Sequence, residues 1–245
     1  MHTPEELLAA AQGSPAAVAV HDRRAWVELY ADAGEVNDPV GSRPHRGREA
    51  IERFYDTFIA PNTIEFHIES EAVSGMSVVR DLNLVTVMST GARLEVPMHL
   101  RYDFVEENGT LKIARLAAHW ELATMIGQLL RAGIPGLVAS AKLTPQLIGN
   151  QGLSGAMGFL GGFRGVGRKG KTVAEHELRA LHRPADGADV SAEELRRARF
   201  KKWIAAGRTV SVSAEFDSGP GIVFVEFTQR ALQVETITVF RTHPV

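Results

Sequence analysis

The chain has 245 residues, 44% of them hydrophobic and 23% charged, with a net charge of -2. That is an ordinary globular composition, and it offers no basic face for nucleic acid. There is no cysteine, which excludes disulfides and thiolate metal ligands and fits a cytoplasmic setting. The length suits one large domain or two small ones, and the N-terminal "MHTPEELLAAAQGSP" places acidic residues ahead of a short apolar run, the wrong order for a secretory signal.

The first segment reads as helical: Ala17, Val18, His21, Ala25, Leu29 and Tyr30 can share one face, leaving Asp22, Arg23, Arg24 and Glu28 to water. "DPVGSRPHRG" (38–47) is a loop broken by two prolines and two glycines. "REAIERFYDTFIAP" (48–61) is a second amphipathic helix that buries Ile51, Phe54, Tyr55, Phe58 and Ile59 and stops at Pro61. From residue 64 the period changes to strands. "TIEFHIESEAV", "SVVRDLNLVTVMST", "ARLEVPMHLRYDFVEE" and "TLKIARLAAHWEL" form a meander with Gly75, Gly91 and "ENG" at its turns. Helices followed by a meander predict an α+β unit, a curved antiparallel sheet with helices on one face, ending near Thr124.

Residues 125–170 are apolar and rich in small side chains, and read as short helices broken at Pro135 and Pro145, a linker or lid. Leu143–Phe163 carries no charge, but its Gly, Gln, Asn and Pro content makes it a poor membrane span. Glycines recur there at 149, 152, 155, 158 and 161, the pattern of a flexible or closely packed stripe. Residues 171–245 form a second, smaller α+β region. It has helices over 172–184 and 191–207, the latter capped by Ser191 with Glu194 and stopped by Gly207, and "RRARFKK" (196–202) on its solvated face. Strands "TVSVSAEF", "GIVFVEFTQ" and "LQVETITVFR" complete it.

"GVGRKGKT" (165–172) fits the phosphate-loop pattern G-x-x-x-x-G-K-[ST]. The preceding "GAMGFLGGFR" is too glycine-rich for a buried strand, and the 73 residues after Thr172 lack the alternating strands and helices of a nucleotide fold. A basic loop is the better reading. The histidines are scattered without metal-ligand spacing, so no metal site is expected; His45 reads as a surface residue, and His119 as facing either way on its strand.

"LYADAGEVNDPVG", "HRGREAIERFY" and "GTLKIARLAAHW" together resemble the ketosteroid isomerase branch of the SnoaL-like superfamily, over roughly residues 15–125. The resemblance implies a cone: a curved sheet wrapped round a pocket whose mouth is closed by helices. It implies Asp38 as the general base of a cofactor-independent proton transfer, on a steroid- or polyketide-like ketone held in an apolar pocket. It also implies Tyr30 and Tyr55 as supporting hydroxyls, Trp120 as a pocket-side aromatic, and a homodimer. The family's donor tyrosine would fall near Ser14, where this chain has none.

The second donor would lie on "VPMHLRYDF", where His99, Arg101 and Asp103 alternate with Met98, Leu100, Tyr102 and Phe104. With the polar face inward, His99, Arg101 and Asp103 would oppose Asp38; shifted by one residue, the apolar set would line the pocket, and Arg101 and Asp103 would form a solvated or interface pair. Three functions are compatible with these residues: an isomerase-like enzyme, a non-catalytic binder of a hydrophobic ligand on the same fold, and a nucleotide hydrolase resting on the phosphate-loop match alone.

Overall fold

The computed structural model describes residues 2–131, 157–158, 161–163, 165–180, 186–187 and 190–241. Helix α1 (Pro4–Ala19) starts at a capping box, in which Thr3 Oγ1 accepts from the Glu6 backbone and the Glu6 carboxylate accepts from the Thr3 backbone. Helix α2 (Arg23–Glu28) starts at Asp22, which accepts from Ala25 N at 2.8 Å. Strand β1 (Tyr30–Asn37) comes directly after it, where the sequence predicts helix through Tyr30. A bulge hides its alternation: the pairing shifts register between Tyr30 and Glu35, and a Cβ at Gly34 would lie 2.8 Å from Ala31 O.

After β2 (His45–Arg46) comes α3 (Arg48–Phe54), which runs into a π-helical turn, Tyr55–Ile59. The meander is β3 (Asn62–Ser74), β4 (Ser77–Met88), β5 (Arg93–Glu107) and β6 (Thr110–His119). The first sheet is ordered β2-β1-β6-β5-β4-β3, antiparallel except where β1 lies parallel to β6. One face packs on the helices. There Leu82 and Leu100 join Leu7, Ala11, Trp26, Ile51 and Phe54 in the largest core, which α4 (Leu122–Arg131) extends through Leu129.

The other face of this sheet is covered as well. A second sheet of β7 (Asp186–Gly187), β8 (Arg199–Ala206), β9 (Thr209–Phe216), β10 (Gly219–Phe227) and β11 (Val234–Arg241) has the order β7-β11-β10-β9-β8. It packs face to face on the first through Ala72 and Val79 against Ile222, Phe224 and Phe240. Each large apolar side chain taken fully out of water there contributes roughly 1.5–3 kcal/mol. The far face of the second sheet carries α5 (Gly167–Ala180) and α6 (Ala192–Arg197), which bury Ala174, Leu178 and Leu195 against Val210, Val212 and Val225.

The structure corrects the helix expected at 191–207. Ser191 caps it as predicted, accepting from Glu194 N, but the helix ends at Arg197 and Arg199–Ala206 is a strand. The basic run is therefore divided between a helix end and an inter-sheet strand, where the Lys202 side chain is only 15% exposed. The basic loop expected at 165–172 is corrected as well, since residues 167–172 begin a helix. Gly167 opens α5, and Lys171 Nζ donates to Trp203 O at 2.7 Å and pairs with Glu121 at 2.6 Å. Pro135, Pro145, Gly149, Gly152 and Gly155 lie outside the described residues.

Candidate functional site

A cavity of about 150 Å³ opens between the helix-side face of the first sheet and α1, α4 and the π turn. Its wall is almost wholly hydrocarbon and aromatic: Phe54 and Phe58 from the helix side, Phe66, Leu84, Val96, Met98 and Leu100 from the sheet, Met125 and Leu129 from α4. The polar side chains in the wall are Ser14, Asp38, Asn62, Thr86 and the indole of Trp120, and Asn62 already donates to Phe58 O at 2.8 Å.

Asp38 is delivered by β1, which is pinned between β2 and β6 and ends one residue before it. The loop then closes on itself: Ser42 N and Oγ both donate to Pro39 O, Asn37 Nδ2 donates to Ser42 O, and Val40 N donates to Ala118 O at 2.9 Å. The Asp38–Pro39 peptide is cis. The carboxylate accepts from Trp120 Nε1 at 2.5 Å, and Trp120 stands at the end of β6, beside β1 in the sheet. Loss of water to the apolar wall pushes the Asp38 carboxyl up to about 6, against the opposing pull of the Trp120 bond. Asp38 keeps part of its surface exposed, as a group facing into a cavity does.

Ser14 lies on the buried stripe of α1, with Leu7, Ala11 and Val18, and is 2% exposed. Its Oγ accepts from Trp26 Nε1 at 3.1 Å, and its O–H lies within reach of both the Tyr102 hydroxyl and the cavity. The sequence marks Ser14 only as the place where a tyrosine is missing. The helical spacing of that stripe is the signal that points to it.

Tyr30 and Tyr55 are core residues packed on Trp26, with ring centroids 4.8 and 5.6 Å away, and they are not part of the cavity wall. Both carry buried hydroxyls that lack a hydrogen-bond partner among the described residues. Burial raises both phenols and that of Tyr102; at Tyr102 the adjacent Arg80 and a hydrogen bond with Ser14 oppose it, and at Tyr30 Tyr102 and Asp38 add to it. Arg80 itself is 1% exposed, paired with Glu71 at 2.6 Å and bonded to Gln12 at 3.1 Å.

Of the two faces left open for β5, the apolar one turns inward, and the placing of His99, Arg101 and Asp103 in the site is corrected. Met98 and Leu100 line the cavity, and His99, Arg101 and Asp103 point away from it. The physical reason is that the back of the sheet meets protein instead of water, so its polar residues are partnered there. Asp81 Oδ2 accepts from Ser213 Oγ at 2.6 Å, which leaves Ser213 to accept from His99 Nε2 at 3.0 Å. The ring proton therefore sits on Nε2, and Nδ1 accepts from Ser211 Oγ at 2.8 Å. Asp81 Oδ1 takes Lys202 Nζ at 2.6 Å. Arg101 pairs with Asp103 at 2.7 Å and lies over the Phe240 ring, while Asp103 also accepts from Ser77.

His119 likewise faces the second sheet, edge-on to Phe224 at 4.9 Å. His45 is not a surface residue: it is half-buried against Phe54, and burial with Arg53 and Arg43 nearby lowers it to about 4. No group of carboxylates and imidazoles suited to a metal ion occurs among the described residues, and no described helix is long and apolar enough to cross a membrane.

Residues 11–116 match the profile of a SnoaL-like domain. Among solved structures, a Δ5-3-ketosteroid isomerase from Mycobacterium sp. is 30% identical, covering 48% of this chain and 95% of that one, with a TM-score of 0.44. A Mycobacterium tuberculosis protein in complex with estradiol-17β-hemisuccinate is 29% identical over 48% of this chain and 95% of that one, at a TM-score of 0.44. An epoxide hydrolase of the LEH-like type from M. tuberculosis is 18% identical over 56% and 96%, at 0.45. The profile ends inside β6, so the second sheet lies beyond it.

Proposed function

From the premise that residues 11–116 form a SnoaL-like domain, we propose that the chain is a small-molecule enzyme that moves a proton on a hydrophobic ketone, with Asp38 as the base. The observation that carries this reading is a single carboxylate, raised to about 6 and held by Trp120, in the wall of a mostly apolar cavity. A carboxylate with its proton affinity near neutrality is ionised at pH 7 yet basic enough to take a proton from carbon.

In the first step the Asp38 carboxylate removes the proton from the carbon next to the ketone, and the C–H electron pair moves through the new C=C bond onto the carbonyl oxygen. The oxygen then bears the charge, and the O–H of Ser14, turned from the Tyr102 hydroxyl toward the cavity, is the donor we assign to it. In the second step Asp38 returns the same proton to the far carbon of the conjugated enolate. The double bond is then in conjugation, and no net atom is gained or lost. The apolar wall suits a rigid hydrocarbon framework such as a steroid, with few polar groups to satisfy.

Mixing the protein with a Δ5-3-ketosteroid and following the enone absorbance tests the reading: turnover that is lost in Asp38→Asn supports it, and no turnover, or turnover unchanged in that variant, removes it. A second reading, a non-catalytic binder of a hydrophobic ligand, is favoured by Met98 and Leu100, which put hydrocarbon where a second oxyanion donor would stand. A steroid bound stoichiometrically, with no absorbance change at any pH, would select it.

A further inference from the structure

Building on Asp38 as the reacting carboxylate, we propose that the second half of the chain fixes where that carboxylate stands, with Gly207 and Lys171 as positioning residues. Two arms reach it. The first acts on the Asp38 loop. Gly41 and Gly207, at φ +98° and +54°, meet backbone to backbone: a Cβ on Gly41 would lie 2.5 Å from Gly207 Cα, and one on Gly207 would lie 2.7 Å from Gly41 Cα. On the other side of the turn, Val166 N donates to Gly207 O at 2.9 Å, and a Cβ on Gly165 would approach that oxygen to 2.7 Å. The glycine run continues along the same loop. Gly158 O accepts from Arg43 N at 3.1 Å, and Cβ atoms on Gly161 and Gly162 would press on Gly41 O and on Pro39 Cγ at 3.2 and 3.0 Å. Val40 fills the remaining space against Ala117 and Ala206.

The second arm acts on Trp120, the hydrogen-bond donor to Asp38. Its neighbour Glu121 accepts from Ala205 N at 3.0 Å and pairs with Lys171 Nζ at 2.6 Å; the same ammonium donates to Trp203 O at 2.7 Å. Residues 203–207 of the second sheet thus hold both the loop that carries the carboxylate and the strand end that carries its donor. The glycines and the lysine of the phosphate-loop-like stretch serve this joint. A base misplaced by a fraction of an ångström loses its alignment with the C–H bond, so the joint bears on turnover more than on binding.

The test uses the full chain labelled with ¹⁵N, in which the indole N–H of Trp120, one of three tryptophans, is assigned with Trp120→Phe. In the wild type this resonance follows the ionisation of Asp38 with a midpoint of about 6, and Asp38→Asn abolishes the response. In Gly207→Ala and Lys171→Met the midpoint is expected to move by about 1 pH unit toward the ordinary carboxylate range as water reaches the loop. Turnover of the ketosteroid falls about tenfold with KM little changed, and Lys171→Arg keeps the wild-type midpoint. Should Gly207→Ala fail to fold, Lys171→Met decides, since that side chain is 27% exposed and only its polar end is lost. A folded Lys171→Met with the wild-type midpoint and kcat overturns the proposal. An indole resonance indifferent to Asp38→Asn removes instead the reading of Asp38, and the inference with it.

Discussion

The two faces of the first sheet carry opposite chemistries. The cavity on the helix side is poor in polar groups, yet the one carboxylate in its wall faces open space and has a single hydrogen-bond donor among the described residues, Trp120. The back holds Asp81, His99, Ser211, Ser213 and Lys202, a set that would look like catalytic machinery if it were read as a list of residue types. Within that set the polar atoms are matched to one another, with His99 bonded at both ring nitrogens and Asp81 at both oxygens. A buried polar group that is fully partnered fixes a fold, whereas one left facing a cavity can act on what enters it. On the proposed reading, reactivity comes from what a carboxylate lacks, and density of charged residues is a guide to the interface between sheets.

The comparison breaks most visibly at Asp38. Asn is nearly isosteric and its oxygen can still accept from Trp120, so the cavity keeps its shape while the base is lost. Turnover should fall roughly 10³-fold, the usual scale of a positioned general base, with steroid binding retained. Stopped-flow absorbance and ligand titration measure the two quantities; equal losses in both would show that Asp38 holds structure and not reactivity.

Asp81→Ala is the matching change on the back face, and its effect should fall on stability. It leaves Lys202, which is 15% exposed, without a buried partner, although Glu69 still receives it at 2.8 Å. Removing one member of a buried pair costs about 3 kcal/mol. Urea unfolding should show that loss, with kcat/KM per folded molecule within about twofold of the wild type because the change is remote from the cavity. A drop in kcat/KM with stability intact would reverse the assignment of the faces.

How far the sequence disclosed these faces depends on what each signal encodes. Alternation along β5 separates Met98 and Leu100 from His99, Arg101 and Asp103, and that division is present in the structure. The side each set faces is not legible, because the usual rule sends the polar set to water and the apolar set to protein. Here a second sheet, more than 100 residues downstream of His99, supplies hydroxyls to the polar set. Asp38 in its loop is readable from local residues and resemblance. Strand β1, which carries that loop, is not, because the bulge at Gly34 erases its period. The strand at 199–206 reads as helix because the Ser191 cap is real and nothing in the charged run marks the stop at Arg197.

Acidification probes both faces together. His99 lies at about 4 in the folded chain against 6.5 for the free side chain, so between those values the unfolded chain takes up a proton that the folded chain refuses, and stability falls as pH drops. His45, at about 4, and His119, lowered by burial, act in the same direction. Asp38 acts oppositely: it lies at about 6 against 3.8, so its cost is present above pH 6 and is relieved as pH drops toward 4. Three imidazoles against one carboxylate give a net loss of stability from pH 6.5 downward, seen as a falling thermal midpoint. Asp38→Asn should steepen that fall, since the one opposing group is gone. The activity profile reports the cavity side alone: kcat/KM should rise through about 6 as Asp38 ionises. Trp120→Phe, which removes the bond that favours the charged form, should move that limb to higher pH.

The smallest effect expected is at Ser14, and it discriminates most finely between an enzyme and a binder. Ser14→Ala removes a single hydroxyl and leaves Trp26 Nε1 without its acceptor. If the hydroxyl meets a ground-state ketone as well as it meets the enolate, KM alone should rise. If it meets the charge that builds on oxygen, kcat should fall about tenfold, the worth of one hydrogen bond strengthened in the transition state, and KM should hardly move. A product-like phenol that mimics the enolate sharpens the point: it should lose affinity in Ser14→Ala by about the same factor as kcat, whereas a saturated steroid without the oxygen should bind both proteins alike. Equal affinities for the phenol would place the ketone elsewhere in the cavity, and would leave Asn62 and Thr86 as the polar side chains in the wall that could receive it.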